Sequence, residues 1–238
     1  MNTLVRYELN NGVATLRMDD GKANVMSIAM LTALNEALDR AEQEAKVVVL
    51  YGREGSFSGG FDLGAFKRGG AEVTTMLEAG LRLCARLVKY PLPVIAACTG
   101  HAVALGAILL FACDLRLGVD VGARFQLSEV RIGIVIPRLA LEVCRRKLAP
   151  AQFHAATTLG IPYTPASALA AGFVDELVPG YAMHEAIQRH CADLMTVNAD
   201  SFARNKRRIN SQVIEAMSDA IEADVAEWKA QAIGSASS

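Results

Sequence analysis

The sequence predicts an α/β (α+β) fold that continues into a helical C-terminal region. Short apolar runs typical of buried strands, such as residues 47–50 and 94–97, precede or follow longer segments with helical periodicity. Near the N-terminus, apolar and polar residues alternate on both sides of Asn10-Asn11-Gly12, which favours a hairpin. From Ala182 onward the sequence shows only helical patterns. Alternating strands and helices on one core therefore lead into a helical end.

The N-terminal elements follow from these patterns in order. Residues 5–9 and 12–18 form the two antiparallel strands of the hairpin. Ser27 can cap a helix that runs to about Glu44. The apolar face of this helix consists of Met30, Leu31, Leu34, Leu38 and Ala41.

The middle of the chain alternates strands and helices. Residues 47–51 predict a buried strand, and residues 72–90 predict a second helix that Pro91 and Pro93 stop. Another strand begins at Val94. Further on, the pair Thr164-Pro165 starts a helix that Gly172 ends, ahead of a strand over residues 174–178.

Length and composition indicate one large core with a helical extension. The chain has 238 residues, 52% of them hydrophobic and 21% charged. We expect a core over residues 1–181 and a helical region over residues 182–233. A disordered tail is expected over residues 234–238.

Charge and hydropathy argue against two classes of partner. The formal net charge of −1 gives no reason to expect nucleic acid, because neutralising many phosphates requires a basic surface. The most basic segment, residues 204–208, could be a solvated helix face or a ligand site. The N-terminus carries no targeting pattern and no apolar run is long enough to span a membrane, so we expect no membrane partner and a cytoplasmic location.

The cysteines and histidines favour neither disulfides nor a metal centre. Five cysteines is an odd number, and most of them lie in apolar runs, as buried thiols do in a reducing compartment. No C-x-x-C pair or H-E-x-x-H motif occurs. We therefore expect no metal site.

Two glycine-containing loops carry the chemical signal. Residues 57–63 follow a predicted strand, and their paired glycines let backbone N–H groups come close to a ligand. Residues 94–114 read as a strand, a glycine turn and a helix that is apolar on every side and hence buried. The N-terminus of such a helix can stabilise an oxyanion. Either loop alone could equally be an ordinary tight turn between a strand and a helix.

Together the loops resemble the signature of the crotonase superfamily, the enoyl-CoA hydratase and isomerase family. Residues 57–63 match its F-[SC]-[AG]-G-x-D-[LI] motif, Gly100 and Cys113-Asp114 anchor the second motif, and residues 125–133 match a third. The resemblance covers nearly the whole chain. It implies a ββα spiral core with a C-terminal helical trimerisation region, assembled as a homotrimer or hexamer. The apolar stripe of the C-terminal helices could instead pack on its own core.

The resemblance implies an acyl-CoA thioester as substrate and no cofactor. Enzymes of this family polarise the thioester carbonyl with two backbone N–H donors, which here fall on Phe61 and on Leu105, or on Gly106 if the turn shifts by one residue. The chain departs from the commonest pattern at this point, since Ala104-Leu105-Gly106 replaces three glycines. The turn is therefore less permissive.

A second departure bears on the reaction. Typical hydratases carry two glutamates, whereas here the first position is Ile108 and the second is Glu129. One carboxylate suffices to move a proton between two carbons, so isomerisation of an enoyl-CoA double bond is favoured. Two alternatives stay open: a hydratase with a helper that is not a glutamate, and an inactive acyl-CoA-binding protein. Glu129 amid apolar residues should have a raised pKa, unless it is an exposed carboxylate at a strand end.

The remaining candidates rest on position alone. His101 could assist the chemistry or be a satisfied core histidine, and Arg138 could line the acyl pocket or lie at the surface. Asp62 is expected to hold its loop. Candidates for CoA binding are Lys22, Ala23, Gly59, Gly60, Asp62, Leu63 and Lys67.

Overall fold

A computed structural model of the protein describes residues 3–235, with side chains up to residue 230. Within this part, strands β1 to β11 are, in chain order, Val5–Asn10, Val13–Met18, Val25–Met26, Val47–Tyr51, Gly55–Ser58, Gly60–Phe61, Val94–Cys98, Gly100–Val103, Leu115–Val119, Phe125–Gln126 and Glu176–Val178. Helices α1 to α10 are Ile28–Glu44, Leu63–Arg68, Ala71–Val88, Leu105–Ala112, Arg138–Arg145, Pro150–Thr157, Pro165–Ala171, Met183–Leu194, Ala199–Ile209 and Ser211–Ser235. Short 3-10 helices cover Glu129–Ile132 and Gly180–Ala182.

The largest sheet has six strands in the order β1-β2-β4-β7-β9-β11. Strands β1 and β2 pair antiparallel, as the alternating pattern predicts, and the other neighbours pair parallel. The turn between β1 and β2 has positive φ at Asn11 (48°) and Gly12 (79°). This backbone matches the right-handed twist of a hairpin.

A second sheet of three parallel strands, in the order β10-β8-β5, gives the fold its spiral. Strands β4, β7 and β9 each enter the large sheet and are followed directly by a strand of the small sheet. Helices then lead back to the next strand of the large sheet. The predicted ββα spiral is confirmed. Strands β5 and β8 approach so closely at their paired residues Gly55 and Gly100 that a Cβ on Gly100 would lie 1.9 Å from the carbonyl carbon of Gly55, so only glycine fits.

The main hydrophobic core lies between the large sheet and the helices α1, α3, α4 and α10. All eight residues of α4 are buried, which confirms the helix predicted to be apolar on every side. Helix α8 covers the opposite face of the sheet with Met183, Ile187 and Cys191. The five cysteines are free and buried, as their apolar surroundings predict.

Local signals placed several helix ends correctly. The Oγ of Ser27 accepts a hydrogen bond from the Met30 amide (3.2 Å) and so caps α1, and Gly172 (φ 88°) ends α7. Helix α3 ends at Val88, two residues before the predicted end. The short helix α2 and the two-residue strands were not predicted, because elements of this length carry little periodicity.

The apolar stripe of the C-terminal helices packs largely on its own chain. Val213, Met217, Ile221 and Val225 of α10 are buried against the main core, whereas Ile209 of α9 is 68% exposed. Helix α10 is described as far as Ser235 and residues 236–238 lie outside the described part, so the disordered tail expected over residues 234–238 stays a prediction.

The basic segment 204–208 is not a uniformly solvated helix face. Lys206 within it is buried, and its Nζ lies 2.7 Å from Oδ2 of Asp114. The same carboxylate oxygen accepts a hydrogen bond from the Val94 amide at 2.9 Å. Asp114 thus joins α9 to the start of β7. None of the helices between residues 3 and 235 has the length and apolar character needed to cross a membrane.

Candidate active site

The first glycine loop, at residues 58–60, turns tightly against the second one. The Oγ of Ser58 donates to the carbonyl of Asn24 (2.7 Å) and accepts from the Gly60 amide (3.1 Å). Gly60 has φ 88°, and a Cβ there would lie 2.8 Å from the Cβ of Ala104. Only glycine allows this backbone and this approach. The loop therefore presents Gly60 and Phe61 to the start of α4.

The second loop forms although it lacks the expected run of glycines. Ala104 takes a positive φ of 49°, which is uncommon for a residue with a Cβ. A Cβ on Gly106 would lie 2.4 Å from the carbonyl oxygen of Ser58, so the remaining glycine stands where β5 comes closest to the helix. Close packing against Ser58 and Gly60 therefore holds this turn in place, since only one of its three residues is a glycine.

Leu105 is the first residue of α4, and the first N–H groups of a helix have no acceptor within the helix. Its amide nitrogen lies 3.4 Å from the position of a Cβ built on Gly60. Leu105 also lines the cavity described next, whereas Gly106 packs on Ser58. The segments carrying the two predicted donors, Phe61 and Leu105, are thus neighbours in space.

A cavity of about 280 Å³ lies beside these two segments. We call it the central cavity. Most of its walls are apolar, and Glu129 is the only one of its described lining residues with a carboxylate. Ile108, at the position where typical hydratases carry a glutamate, is another lining residue. The lining comprises Gly59, Phe61, Leu63, Phe66, Leu77, Leu81, Val103, Ala104, Leu105, Ile108, Arg124, Ser128, Glu129, Ile132, Ile134, Pro137 and Trp228.

Glu129 begins the 3-10 helix Glu129–Ile132 and is only 5% exposed. Among the described residues, no group forms a hydrogen bond with its Oε2. Burial without a partner disfavours the charged form and raises the pKa of this carboxyl to about 7, as the apolar context predicted. The alternative of an exposed carboxylate at a strand end is wrong.

A second depression of about 350 Å³, here called the basic groove, adjoins the central cavity. Gly59, Val103 and Arg124 line both. The groove otherwise contains Lys22, Ala23, Arg53, Glu54, Gly55, Ser56 and His101. Basic side chains outnumber the single acidic one, so the groove suits an anionic ligand.

Among the other candidates, His101 and Lys67 lie away from the roles considered for them, and Arg138 follows its surface alternative. His101 is exposed, not buried in the core, and its Nδ1 accepts a hydrogen bond from the Arg124 amide at 3.0 Å. Lys67 is exposed on α2 and lines neither the central cavity nor the basic groove. Arg138 does not line the central cavity; it is exposed at the start of α5, as its surface alternative predicted, and forms ion pairs with Asp224 and Glu227 of α10.

Asp62 and Leu63 lie where the sequence analysis placed them, in and beside the first loop. The carboxylate of Asp62 accepts a hydrogen bond from the Gly64 amide (2.8 Å) and caps α2, which is the loop-holding role predicted for it. Leu63 lines the central cavity although it is 54% exposed.

Arg124 and Trp228 are among the lining residues that sequence reasoning did not identify. Arg124 lies between the central cavity and the basic groove, and the only sequence signal for it was its place directly before the third motif. Trp228 comes from the distant helix α10, and no local pattern connected it with the loops. No group of three or more His, Cys, Asp or Glu side chains that could hold a metal occurs among the residues described.

Comparison with known proteins gives a consistent set of relatives. Residues 8–232 match the family model described as enoyl-CoA hydratase/isomerase. A protein of Rhodobacter capsulatus named probable enoyl-CoA hydratase is 35% identical over 133 residues. That alignment covers 55% of this chain and 51% of the relative, so it spans only about half of either protein.

Solved structures match over almost the full length. A Mycobacterium tuberculosis protein is 35% identical, with a TM-score of 0.91 over 95% of this chain and 96% of the other. One crystal structure describes that protein as a probable enoyl-CoA hydratase, and an apo structure of it (TM-score 0.90) as an enoyl-CoA isomerase. The human mitochondrial delta3-delta2-enoyl-CoA isomerase is 25% identical, with a TM-score of 0.90 over 96% of this chain and 92% of that enzyme.

Proposed function

The chain belongs to the enoyl-CoA hydratase/isomerase family, as its motifs predicted, and from this we propose that it isomerises the double bond of an enoyl-CoA thioester. One observation carries the choice of reaction. Glu129 is the only carboxylate among the described residues that line the central cavity, and Ile108 occupies the first of the two glutamate positions of hydratases. A single base fits a reaction that moves one proton from one carbon to another.

In the proposed reaction Glu129 is both base and acid. Its carboxylate removes a proton from C2 of a 3-enoyl-CoA, and the electron pair delocalises through the double bond onto the thioester oxygen. The carboxylic acid then returns the proton to C4, giving the conjugated 2-enoyl-CoA without gain or loss of water. A pKa of about 7 suits both half-reactions, because the carboxyl is readily ionised and readily protonated near neutral pH.

The negative charge that develops on the thioester oxygen needs donors. We assign them to the backbone N–H groups of Phe61 and Leu105, which lie on adjoining segments beside the central cavity. Removing one such donor typically costs about 3–4 kcal/mol of transition-state stabilisation. The Leu105 donor also has the favourable end of the α4 dipole behind it.

Hydration would require a second polar group in the central cavity. Stereospecific addition of water requires a site that holds and activates the water while another group handles the proton at C2. Ile108 offers no polar atom there and is only 1% exposed. The apolar lining around it therefore favours isomerisation over hydration.

The CoA portion of the substrate is assigned to the basic groove. Lys22, Arg124 and His101 lie there, next to the backbone of Gly59, and can meet the phosphates while the pantetheine passes Val103 toward the central cavity. The proposal includes no cofactor, because proton transfer between carbons needs only a base and an oxyanion hole.

A homotrimer or hexamer remains part of the proposal. Most of the α10 stripe is buried within one chain, so an interface between subunits has to use other surface, such as the exposed Ile209. Light scattering on the purified protein measures the assembly directly, and a monomer over the whole accessible concentration range would exclude a trimer.

The reaction is tested with two thioesters. Incubation with a 3-enoyl-CoA should raise the absorbance of the conjugated thioester, and incubation with a 2-enoyl-CoA should leave that absorbance almost unchanged. Rapid loss of absorbance with the 2-enoyl-CoA would establish hydration instead. Binding of both thioesters without any absorbance change would establish an acyl-CoA-binding protein.

The role of Glu129 is tested by Glu129→Gln. General acid–base catalysis contributes about 10²–10⁴-fold, and turnover should fall by that factor while the affinity for CoA thioesters is kept. Glu185→Gln is the matched control, since Glu185 is exposed on α8 and remote from the central cavity. Full turnover by the Glu129 variant would refute the assignment.

A further inference from the structure

A third depression, of about 400 Å³, adjoins the central cavity at its other end, and we call it the distal cavity. Four side chains, Phe66, Leu77, Ile134 and Trp228, line both. No lining residue of the distal cavity belongs to the basic groove. The three spaces therefore follow one another, with Glu129 in the middle one.

The distal cavity is chiefly apolar and carries no side chain of the proposed chemistry. Its remaining lining consists of Gly69, Gly70, Val73, Thr74, Gly133, Val135 and Glu227. The central cavity alone, at about 280 Å³, is at the small end for a ligand site, and it must already hold the thioester and the reacting carbons. Any longer apolar group must extend beyond it.

The boundary between the two cavities is held in place by an ion pair. Asp224, only 4% exposed, accepts a hydrogen bond from the Arg138 amide (2.9 Å) and pairs with the Arg138 guanidinium. Glu227 pairs with the same guanidinium at 3.1 Å. Trp228 is the next residue of α10 after Glu227. The ion pairs of Arg138 therefore hold in place the part of α10 that carries the Trp228 side chain, which lines both cavities.

Glycines and exposed apolar side chains leave the far end open. A Cβ built on Gly69, Gly70 or Gly133 would meet no atom within 4 Å. Val135, which lines the distal cavity, is 72% exposed. An apolar chain lying here would remove this surface from water, which is favourable in proportion to the area covered.

We infer that the distal cavity binds the far end of the acyl chain, so that the substrates are medium- or long-chain enoyl-CoA thioesters. This inference rests on the proposed function, because it places the thioester beside Glu129. Trp228, Leu77 and Phe66 mark the point where the chain leaves the central cavity. Each methylene buried beyond that point strengthens binding by about fourfold.

The test uses saturated thioesters, which bind without reacting. Titration calorimetry with butanoyl-, octanoyl- and dodecanoyl-CoA measures how affinity depends on chain length. In Val73→Trp the new ring fills part of the distal cavity, and Val73 does not line the central cavity. Butanoyl-CoA should bind as before, whereas the gain for dodecanoyl-CoA should fall by tenfold or more.

Two further variants complete the design. Val121→Trp is the control for adding a large ring, because Val121 is 72% exposed and lines none of the three spaces. Val135→Trp narrows the distal cavity from its exposed side and keeps the test open if Val73→Trp does not fold.

The outcomes separate the two hypotheses. Equal affinity of the unaltered protein for all three thioesters, or an undiminished chain-length gain in the folded Trp variants, would refute the distal cavity as the acyl site. Failure to bind any CoA thioester would instead refute the proposed function itself.

Discussion

The buried carboxyl of Glu129 should make the stability of the protein depend on pH in a way that one substitution removes. Its pKa is about 7 in the folded protein, against 4.5 for an ordinary glutamate side chain. Burial raises the folded pKa, so ionisation opposes folding. The contribution of this group to stability is fully present below pH 4.5 and is lost as the pH rises toward 7.

The size of the effect follows from the two pKa values. The difference between 4.5 and about 7, at about 1.4 kcal/mol for each pH unit, corresponds to about 3 kcal/mol in total. Between pH 5 and pH 8 linkage gives a loss of about 2–3 kcal/mol. Glutamine has nearly the same shape and cannot ionise, so the Glu129→Gln variant should not show this loss.

The assay is urea unfolding of both proteins at pH 5 and at pH 8. The free energy of unfolding of Glu129→Gln, relative to the unaltered protein, should rise by about 2–3 kcal/mol between the two pH values. Glu185→Gln, at an exposed site, should show no such change. A pH-independent difference for Glu129→Gln would mean that the carboxyl stays solvated, and the argument from burial would fail.

Three further predictions concern the reaction, the loops and the helical region. If ionised Glu129 is the base, kcat/KM for a 3-enoyl-CoA should rise about tenfold per pH unit up to about pH 7 and then level off; a flat profile from pH 5.5 to 8.5 would contradict this. Gly106→Ala should destabilise the folded protein by about 1–3 kcal/mol and slow turnover, because the new Cβ would clash with Ser58 at the end of β5. Gly180→Ala is the control in thermal unfolding and should leave stability unchanged, because a Cβ on Gly180 meets no atom within 4 Å. Lys206→Met should lower the free energy of unfolding, measured in urea, by about 2–3 kcal/mol, because it leaves the carboxylate of Asp114 without its ion-pair partner. Arg208→Met, at an exposed site, is the control. Equal stability of the two variants would show that the ion pair contributes nothing.

Local sequence was sufficient wherever a structure depends on near neighbours. The Asn-Gly turn of the hairpin, the Ser27 cap of α1 and the Gly172 stop of α7 each rest on backbone preferences within a few residues. The burial of all of α4 followed from its unbroken apolar composition. Motif spacing likewise placed the first loop within residues 57–63 and the turn of the second at Ala104-Leu105-Gly106.

Distant packing decided what those patterns could not express. Periodicity shows that Glu129 lies among apolar residues, but its burial and its raised pKa depend on the walls that other segments build around it. The position of Trp228 on that wall depends on the ion pairs of Arg138 with α10, two segments far apart in the chain. Likewise the burial of Lys206 depends on Asp114. By itself the sequence determined the elements, the two loops and the candidate base, because short-range backbone and side-chain preferences act within a few residues. Only the tertiary structure decided the solvation of Glu129 and the shape of the space beside it, because both depend on which distant side chains displace water.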